Sequence, residues 1–338
     1  MRAARLHAYG PPEVMTVDEV PEPVPGPRDV LVRVAASSIN PVDAKIRAGS
    51  QRAVVRLSLP WITGMDVAGV VEAVGAKVTR FKVGDAVVSS PTHRRPGTFA
   101  ERVAIDERAV ALKPRAWTFA EAATLPLVGL TAWGCLVDAA RLRAGQRVLI
   151  HAGAGGVGCV AIQLAKHLGA EVSTTASARN ADFVRGLGAD HVVDYTKDDF
   201  VAALAPHDVV LDALGGEVFE RSLRAVKRGG VLVSINTGLP DAVERWGPNL
   251  GVLAVGLGLA RRAWVTRVGH GARYATVVRA PDGERLASLV KLCDEGAIKP
   301  TVSEVIPLER IVDAHRAIET GRTRGKIAIA VSEMSEAR

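Results

Sequence analysis

The spacing of apolar residues divides the chain into regions of different character. Up to about residue 117, apolar positions alternate with polar ones in short runs such as Asp29–Ala36, which predicts strands. Six prolines between Pro11 and Pro27 exclude a helix there. From Thr118 the period changes, because Thr118 and Glu121 have the spacing of a capping box at the start of a helix.

Strand and helix patterns alternate after this point. The predicted strands are 148–152, 171–176, about 191–193, 208–212 and 230–235. The predicted helices are 157–168, 179–187, 197–204 and 217–228. Such alternation requires right-handed crossovers and a parallel sheet, so this region is predicted to be a doubly wound α/β domain.

Beyond Pro281 the pattern changes again. It predicts helix 283–294, strand 302–305, helix 308–319 and strand 326–331. We expect this tail to join the N-terminal strands in one discontinuous domain, 1–122 with 280–338, and the α/β domain to cover 123–279. Residues 240–270 are broken by prolines and glycines. They fit a helix, a lid over a substrate or a dimer surface, and Tyr274–Val278 fits a last strand.

The most informative stretch follows the strand at 148–152. Gly153, Gly155 and Gly158 stand in G-x-G-x-x-G register between this strand and a helix. In that context the first glycine permits the tight turn, the second lets the backbone approach a pyrophosphate, and the third lets the helix pack on the strand. The N–H groups at the helix start then face the phosphates. The stretch predicts a dinucleotide site, against the alternative of a turn that serves packing alone.

The end of the next strand indicates which dinucleotide binds. An NAD site usually places Asp or Glu there to accept the ribose hydroxyls. This chain has Ser177 and Arg179 instead. Arginine holds a phosphate through two parallel hydrogen bonds, so we predict a 2′-phosphate and therefore NADP(H). The alternative is that Arg179 is simply an exposed residue at a helix start.

Composition excludes several classes of protein. The 338 residues are 48% hydrophobic and 23% charged, as expected of a globular chain with ample core. The net charge of +7 is spread over dispersed arginines, so we expect no nucleic-acid partner. No apolar run is long enough to span a membrane and no signal peptide is recognisable, so no membrane partner and a cytoplasmic location are expected.

A set of further motifs occurs in the order found in one known family. They are Ile39-Asn40-Pro41-Val42-Asp43, Gly64-Met65-Asp66-Val67-Ala68-Gly69, Gly84-Asp85, Gly97-Thr98-Phe99-Ala100-Glu101, Leu130-Thr131-Ala132-Trp133, the glycine-rich stretch, Asp194-Tyr195 and Gly325-Lys326-Ile327. With them the chain resembles the zinc-independent medium-chain dehydrogenases/reductases of the quinone oxidoreductase type. The resemblance implies a Rossmann domain beside a discontinuous, mainly β, GroES-like catalytic domain, and a homodimer.

The resemblance also implies roles for individual residues. Asn40 and Thr131 would lie near the nicotinamide, although Asn40 also suits a loop-capping amide. The residues implied for the cofactor comprise Gly155, Gly156 and Val157 at the pyrophosphate; Ser177, Arg179 and Tyr195 at the 2′-phosphate; Leu214 and Ile235 to Thr237 beside the nicotinamide; and Lys326 from the tail. Tyr195 alternatively packs at a strand end.

No metal is expected. Zinc-dependent relatives carry Cys and His where this chain has Asn40 and Met65, and neither replacement supplies a thiolate or imidazole ligand. Without a metal, hydride transfer needs an acceptor activated by its own conjugation, that is a quinone, an enone, a 2-alkenal or an enoyl thioester.

The sequence does not identify a proton donor, since Lys45, Asp66 and His93 all suit structural roles. Two alternatives to a general quinone or alkene reductase stay open. One is a tailoring enoyl reductase of a biosynthetic pathway, and the other is a non-catalytic NADPH-binding protein of the crystallin or RNA-binding kind.

Overall fold

The computed structural model describes residues 1–52, 55–93 and 95–332. Its strands are β1 (Arg2–Leu6), β2 (Met15–Glu19), β3 (Asp29–Ile39), β4 (Trp61–Ile62), β5 (Val67–Val74), β6 (Ala86–Ser89), β7 (Arg102–Asp106), β8 (Val110–Leu112), β9 (Arg147–Ile150), β10 (Glu171–Ala176), β11 (His191–Asp194), β12 (His207–Asp212), β13 (Val226–Ser234), β14 (Arg273–Thr276), β15 (Val302–Pro307) and β16 (Lys326–Ala330). Its helices are α1 (Pro41–Arg47), α2 (Phe119–Ala123), α3 (Pro126–Trp133), α4 (Gly156–His167), α5 (Ala181–Gly186), α6 (Phe200–Ala203), α7 (Gly216–Ala225), α8 (Leu239–Trp264), α9 (Gly283–Asp294) and α10 (Ile311–Glu319).

The chain forms two compact units. The first combines Met1–Leu130 with Ala280–Arg338, and the second is Thr131–Arg279. The first boundary therefore follows Leu130 rather than residue 122. The reason is packing: α2 lies against β3 and β5, and Gly129 approaches Leu289 of α9 so closely that an added Cβ would stand 3.0 Å from its Cδ1. Residues 333–338, the end of the predicted first domain, lie outside the described residues.

The first unit is built around the long strand β3. Its valines at 30, 32 and 34 are fully buried while Arg33 between them is exposed, as the alternation predicts. β3 pairs antiparallel with β5, β7 and β16, in a sheet ordered β15-β16-β3-β5-β6-β8, and a separate sheet has the order β2-β1-β4. The tail strands β15 and β16 thus complete the N-terminal sheet.

The second unit contains a parallel sheet ordered β11-β10-β9-β12-β13-β14. The chain moves outward from β9 to β10 and β11, then returns to the other side of β9 with β12. This reversal between β9 and β12 is the switch point where such sheets bind ligands at the carboxyl ends of their strands. Together the two sheets confirm the predicted fold class.

Several element boundaries differ from the predictions for a local reason. β13 begins at Val226, earlier than predicted, and α7 ends at Ala225, because a turn at Gly229, with φ 79°, lies within the strand instead of before it. The predicted helix at 197–204 is reduced to α6, which starts where the Asp199 side chain accepts the backbone N–H of Val201.

The segment that the sequence left open is a helix. α8 runs to Trp264 with one break at Gly247, whose φ of 73° only glycine adopts readily, and Pro248 starts the second part. A single wide π turn, Val265–Gly269, connects it to β14 at the edge of the sheet. In the described part of the chain, the length and hydropathy of the helices do not reach those of a membrane span.

Candidate functional site

A sharp turn leads from β9 into α4 in the second unit. Ala152 carries the strained conformation, with φ 54°, and not Gly153 as the sequence suggested. Thr175 on the neighbouring strand stabilises the turn, because its hydroxyl accepts the Ala152 N–H at 3.2 Å and its carbonyl accepts the Gly153 N–H at 3.0 Å. The strain of the turn is therefore supported by hydrogen bonds from β10.

The structure gives a different reason for glycine at each of the motif positions. A Cβ on Gly153 would stand 2.0 Å from the Thr174 hydroxyl, and one on Gly158 would stand 2.3 Å from the Ala152 carbonyl oxygen. Packing alone requires glycine at both positions. A Cβ on Gly155 would meet nothing nearer than the Ala152 oxygen at 3.3 Å. Gly155 is thus the glycine that internal packing does not demand, as expected if its open side receives a ligand.

The start of α4 suits an anion. Gly155 is the N-cap residue, so the N–H groups of Gly156 and Val157 begin the helix and have no carbonyl acceptor inside it. The helix dipole adds positive potential at the same place. These features fit the pyrophosphate of a dinucleotide, held by backbone N–H groups at the switch point.

Ser177, Arg179 and Tyr195 are brought to one edge by strand register. Ala176 of β10 pairs with Asp194 of β11, so the residues that follow each strand are neighbours. Arg179 and Tyr195 are exposed, and Ser177 precedes a short 3-10 turn. Sequence reasoning overlooked Asp194 as an acid near this edge, but its carboxylate accepts the Thr196 hydroxyl at 2.8 Å and the Thr196 N–H at 3.1 Å.

Leu214, Ile235 and Thr237 follow β12 and β13 at the same carboxyl edge. Two contacts tie the strand ends together: the Ser234 hydroxyl donates to Asp212 at 3.0 Å, and the Asn236 amide donates to the Leu214 carbonyl at 2.6 Å. Sequence reasoning gave Asn236 no separate role, although an amide within a strand-end loop is a typical signal for such a bridge. The structure therefore groups these residues with the glycine turn.

His151 is a further residue that the sequence did not single out. It lies buried at the end of β9, with Nδ1 3.2 Å from the Thr175 hydroxyl and Nε2 2.9 Å from that of Ser222 on α7. Burial lowers the pKa of His151 to about 4. The ring is therefore neutral at physiological pH and acts as a cross-link between β9, β10 and α7.

Asn40 and Lys326 meet in the first unit, in a cluster that also contains Asp66. The Lys326 ammonium donates to the Asn40 Oδ1 at 2.6 Å and to the Ile39 carbonyl at 2.7 Å. The Asn40 amide donates to Asp66 Oδ2 at 2.8 Å. Asp66 also accepts the Ser38 hydroxyl at 2.8 Å and the Leu127 N–H at 2.7 Å. All three side chains are buried, so we call this group the buried polar cluster.

The buried polar cluster changes two interpretations. Lys326 is directed into its own unit, and burial lowers the pKa of its ammonium. Its hydrogen bonds lie within its own unit, and its direct approach to a cofactor, which the resemblance implied, stays a prediction. Asn40 precedes α1 and both amide atoms have partners, which agrees with the alternative of a loop-capping amide. Asp66 holds three donors and is a structural acceptor rather than a proton donor.

Asp43 extends this cluster and was missed as a functional candidate. Its Oδ2 accepts the Asn40 N–H at 2.9 Å, while its buried Oδ1 has no hydrogen-bond partner. The hydroxyl of Thr63 is buried without a partner as well, and both residues line one small cavity. Burial raises the pKa of the Asp43 carboxyl to about 7. Asp43 could have been singled out in the sequence, because it is an acid three residues after Asn40 at the start of a helix.

Thr131 belongs to the second unit, where it lies buried in α3. Its contact with a nicotinamide stays a prediction. Within residues 1–52, 55–93 and 95–332, three or more His, Cys, Asp and Glu side chains do not come together as a metal site would require. That no metal is used also stays a prediction, which depends on Asn40 and Met65 standing where zinc relatives have ligands.

The geometry of the second unit defines a dinucleotide-binding α/β protein. Comparison with known protein families adds matches in both units of the chain. Residues 26–115 match the family described as alcohol dehydrogenase GroES-like domain, and residues 187–329 match the one described as zinc-binding dehydrogenase.

Individual relatives agree with these matches. The chloroplastic NADPH-dependent alkenal/one oxidoreductase of Arabidopsis thaliana is 34% identical over 89% of this chain and 71% of its own length. The quinone oxidoreductase of Coxiella burnetii is 33% identical with a TM-score of 0.87, covering 98% of this chain and 99% of its own. The Escherichia coli quinone oxidoreductase complexed with NADPH is 29% identical with a TM-score of 0.80, covering 98% and 100%. The chain belongs to the medium-chain dehydrogenase/reductase superfamily, in its quinone oxidoreductase type.

The different reasons for the motif glycines generate a paired prediction. Gly155→Ala should change the free energy of unfolding by less than about 1 kcal/mol, because its Cβ requires only a small shift from the Ala152 oxygen, yet it should weaken dinucleotide binding at least tenfold. Gly158→Ala should lower the free energy of unfolding by about 3 kcal/mol, because its Cβ overlaps backbone atoms. Denaturant unfolding and fluorescence titration measure the two quantities. Unchanged dinucleotide affinity in Gly155→Ala would contradict the assignment of this turn.

The buried polar cluster generates a second prediction. Lys326→Met should lower the free energy of unfolding by about 3–5 kcal/mol, since it leaves the buried Asp66 carboxylate without its cation. The double variant Lys326→Met/Asp66→Asn should recover part of this loss. Lys227→Met is the matched control: its ammonium pairs with Asp208 at 3.0 Å at the surface, so a loss of about 1 kcal/mol or less is expected. Equal losses for both lysines would contradict an energetic role of the cluster.

Proposed function

We propose that this protein is an NADPH-dependent reductase that transfers hydride to a quinone or to an activated alkene such as an enone, a 2-alkenal or an enoyl thioester. The observation that carries the proposal is the turn at Gly153–Gly158, whose open side at Gly155 faces the switch point of the parallel sheet. The Arabidopsis relative is named an NADPH-dependent alkenal/one oxidoreductase, and the bacterial relatives are named quinone oxidoreductases. These names support the coarser activity, an NADP-dependent oxidoreductase.

The residues of the second unit suit the binding and orientation of NADPH. Backbone N–H groups of Gly156 and Val157 would receive the pyrophosphate. Ser177, Arg179 and Tyr195 stand at the edge where the 2′-phosphate would lie, and Leu214, Ile235 and Thr237 form the rim on the other side of the switch point. Bound NADPH supplies a hydride from C4 of its nicotinamide.

We propose an acceptor that is polarised by its own conjugation, because Asn40 and Met65 stand where zinc-dependent relatives carry metal ligands. Hydride then goes to the electron-poor carbon and negative charge develops on the distant oxygen, where hydrogen-bond donors stabilise it. The roles of Asn40 and Thr131 beside the nicotinamide stay predictions from the family resemblance, and the hydrogen bonds of Asn40 also fit a loop-capping amide. We assign no proton donor.

The homodimer through the edge strand β14 and the cytoplasmic location stay predictions, and the Arabidopsis relative is named chloroplastic.

The proposed 2′-phosphate contact predicts how Arg179 affects the choice of cofactor. Arg179→Ala should weaken NADPH binding by about 2 kcal/mol, about thirtyfold in Kd, because a charge-assisted hydrogen bond is lost. NADH binding should be unchanged, since NADH lacks the phosphate. Arg185→Ala, an exposed arginine on α5 paired with Asp182, is the matched control and should affect neither cofactor. Equal loss of NADPH and NADH affinity would exclude the 2′-phosphate role.

The reaction itself is tested by stopped-flow oxidation of NADPH against a panel of acceptors: 9,10-phenanthrenequinone, 1,4-benzoquinone, trans-2-hexenal and a crotonyl thioester. We expect turnover of at least one class. Turnover of quinones alone would place the protein among quinone reductases, whereas turnover of the alkenal or thioester would favour the enoyl reductase alternative. Tight NADPH binding without turnover of any acceptor would contradict the proposal and favour a non-catalytic NADPH-binding protein.

A further inference from the structure

The second part of α8 exposes an unusual amount of apolar surface. Of the fifteen large hydrophobic side chains that are exposed among the described residues, seven lie between Trp246 and Val268. Leu250, Leu253, Leu257 and Trp264 are 61%, 60%, 65% and 65% exposed. At 3.6 residues per turn they fall within an arc of about 60° on the helix, along about 21 Å of its axis. We call these four residues the apolar stripe.

The orientation of the helix is set by contacts on its other side. Arg262 donates to the Asn236 carbonyl at 2.9 Å and lies over the ring of Phe219 at 4.7 Å, and Thr266, one turn later, is buried. Arg262 projects about 120–180° away from the members of the apolar stripe. The stripe therefore faces away from its own unit because Arg262 and Thr266 are directed inward.

Within the sequence segment that carries the apolar stripe, the charged residues have one sign. From Arg245 to Pro281 the sequence contains six arginines and no Asp or Glu. Arg245, Arg261 and Arg267 are exposed. Arg261 also lies 3.4 Å from Glu220, but a solvent-exposed pair of this kind contributes little. A helix with Leu and Trp on one side and arginines beside them has the composition of helices that lie in the interface of an anionic membrane.

A second copy of the chain fits this face less well. In a two-fold dimer the same patch meets itself, so each stripe and its arginines would face identical arginines. No acidic residue of the 245–281 segment is present to pair with them, and like charges across an interface oppose association. Anionic phospholipid headgroups would pair with these arginines while the acyl boundary accepts the leucines and tryptophan.

We propose that the apolar stripe of α8 docks this protein peripherally on the surface of a bilayer that contains anionic phospholipids. The expectation of no membrane partner came from the absence of a spanning segment, and surface docking needs none. The inference rests on the exposed helix and its charge, and is independent of the substrate proposed above. Leu and Trp enter the headgroup boundary, and Arg245, Arg261 and Arg267 contact the lipid phosphates.

The test is co-sedimentation of the full chain with vesicles of phosphatidylcholine alone or with 30% phosphatidylglycerol, at low and high KCl. The wild type should bind the anionic vesicles, and high salt should weaken the binding because it screens the arginines. Leu253→Gln/Leu257→Gln should lower the partition coefficient more than tenfold. Arg261→Gln/Arg267→Gln should lower it for anionic vesicles only.

Matched controls separate the stripe from general surface effects. Val24→Gln removes an apolar side chain that is 88% exposed outside α8, and Arg115→Gln/Arg143→Gln removes two exposed arginines elsewhere. Both controls should bind vesicles as the wild type does. Circular dichroism confirms that each variant is folded, which is expected because every substituted side chain is exposed.

A spectroscopic readout checks the geometry. The emission of Trp264 should shift to the blue on addition of anionic vesicles, and Trp264→Phe should abolish most of the shift. Absence of wild-type binding to anionic vesicles at low salt would overturn the proposal, as would equal binding by Leu253→Gln/Leu257→Gln and the controls. If light scattering shows a dimer that the leucine variant converts to a monomer, without vesicle binding, the stripe is a contact between copies and the proposal fails.

Discussion

The second unit depends on a contact between backbones. At the turn from β9 into α4, the helix start lies so close to the strand that no side chain fits between them, and a Cβ at residue 158 would overlap the carbonyl of Ala152. Close approach brings the first N–H groups of α4 to the switch point without an intervening side chain. Everything proposed for the cofactor follows from this contact, since the other candidate residues of this unit are carried there by strand register.

The first unit depends on polar groups that are buried together. The three residues of the cluster come from distant parts of the chain. Asn40 follows β3, Asp66 precedes β5, and Lys326 begins the tail strand β16. Burying a cation and a carboxylate is costly unless each has its full set of partners. In the cluster the Lys326 ammonium has two oxygen acceptors and the Asp66 carboxylate has three donors, so the cluster links the tail to the N-terminal sheet.

Features that depend on a local sequence pattern could be predicted from the sequence. Features that depend on contacts between residues far apart in the chain could not. The glycine turn and the strand–helix alternation of the parallel sheet were predictable, because period and turn chemistry are local. The return of the tail was expected only from the change of pattern beyond Pro281. The role of Lys326 was not, since its partners Asn40 and Asp66 are far away in the chain. The strain at Ala152 also escaped, because an alanine with positive φ has no sequence signal and is held there by Thr175 of another strand. The helix of 240–270 was obscured by Gly247 and Pro248, which break it only once.

Two of the buried titratable groups described above, Asp43 and His151, have pKa values shifted in opposite directions. His151, with its pKa lowered from 6.5 to about 4, stays neutral through the physiological range. Its contribution to stability is lost as the pH falls from about 6.5 towards 4, because the unfolded chain then binds the proton more readily. Asp43, with its pKa raised from 3.8 to about 7, holds its proton in the folded state, and its contribution is lost as the pH rises through about 7. Near neutrality, Asp43 beside Asn40 therefore changes its charge, whereas His151 at the end of β9 does not.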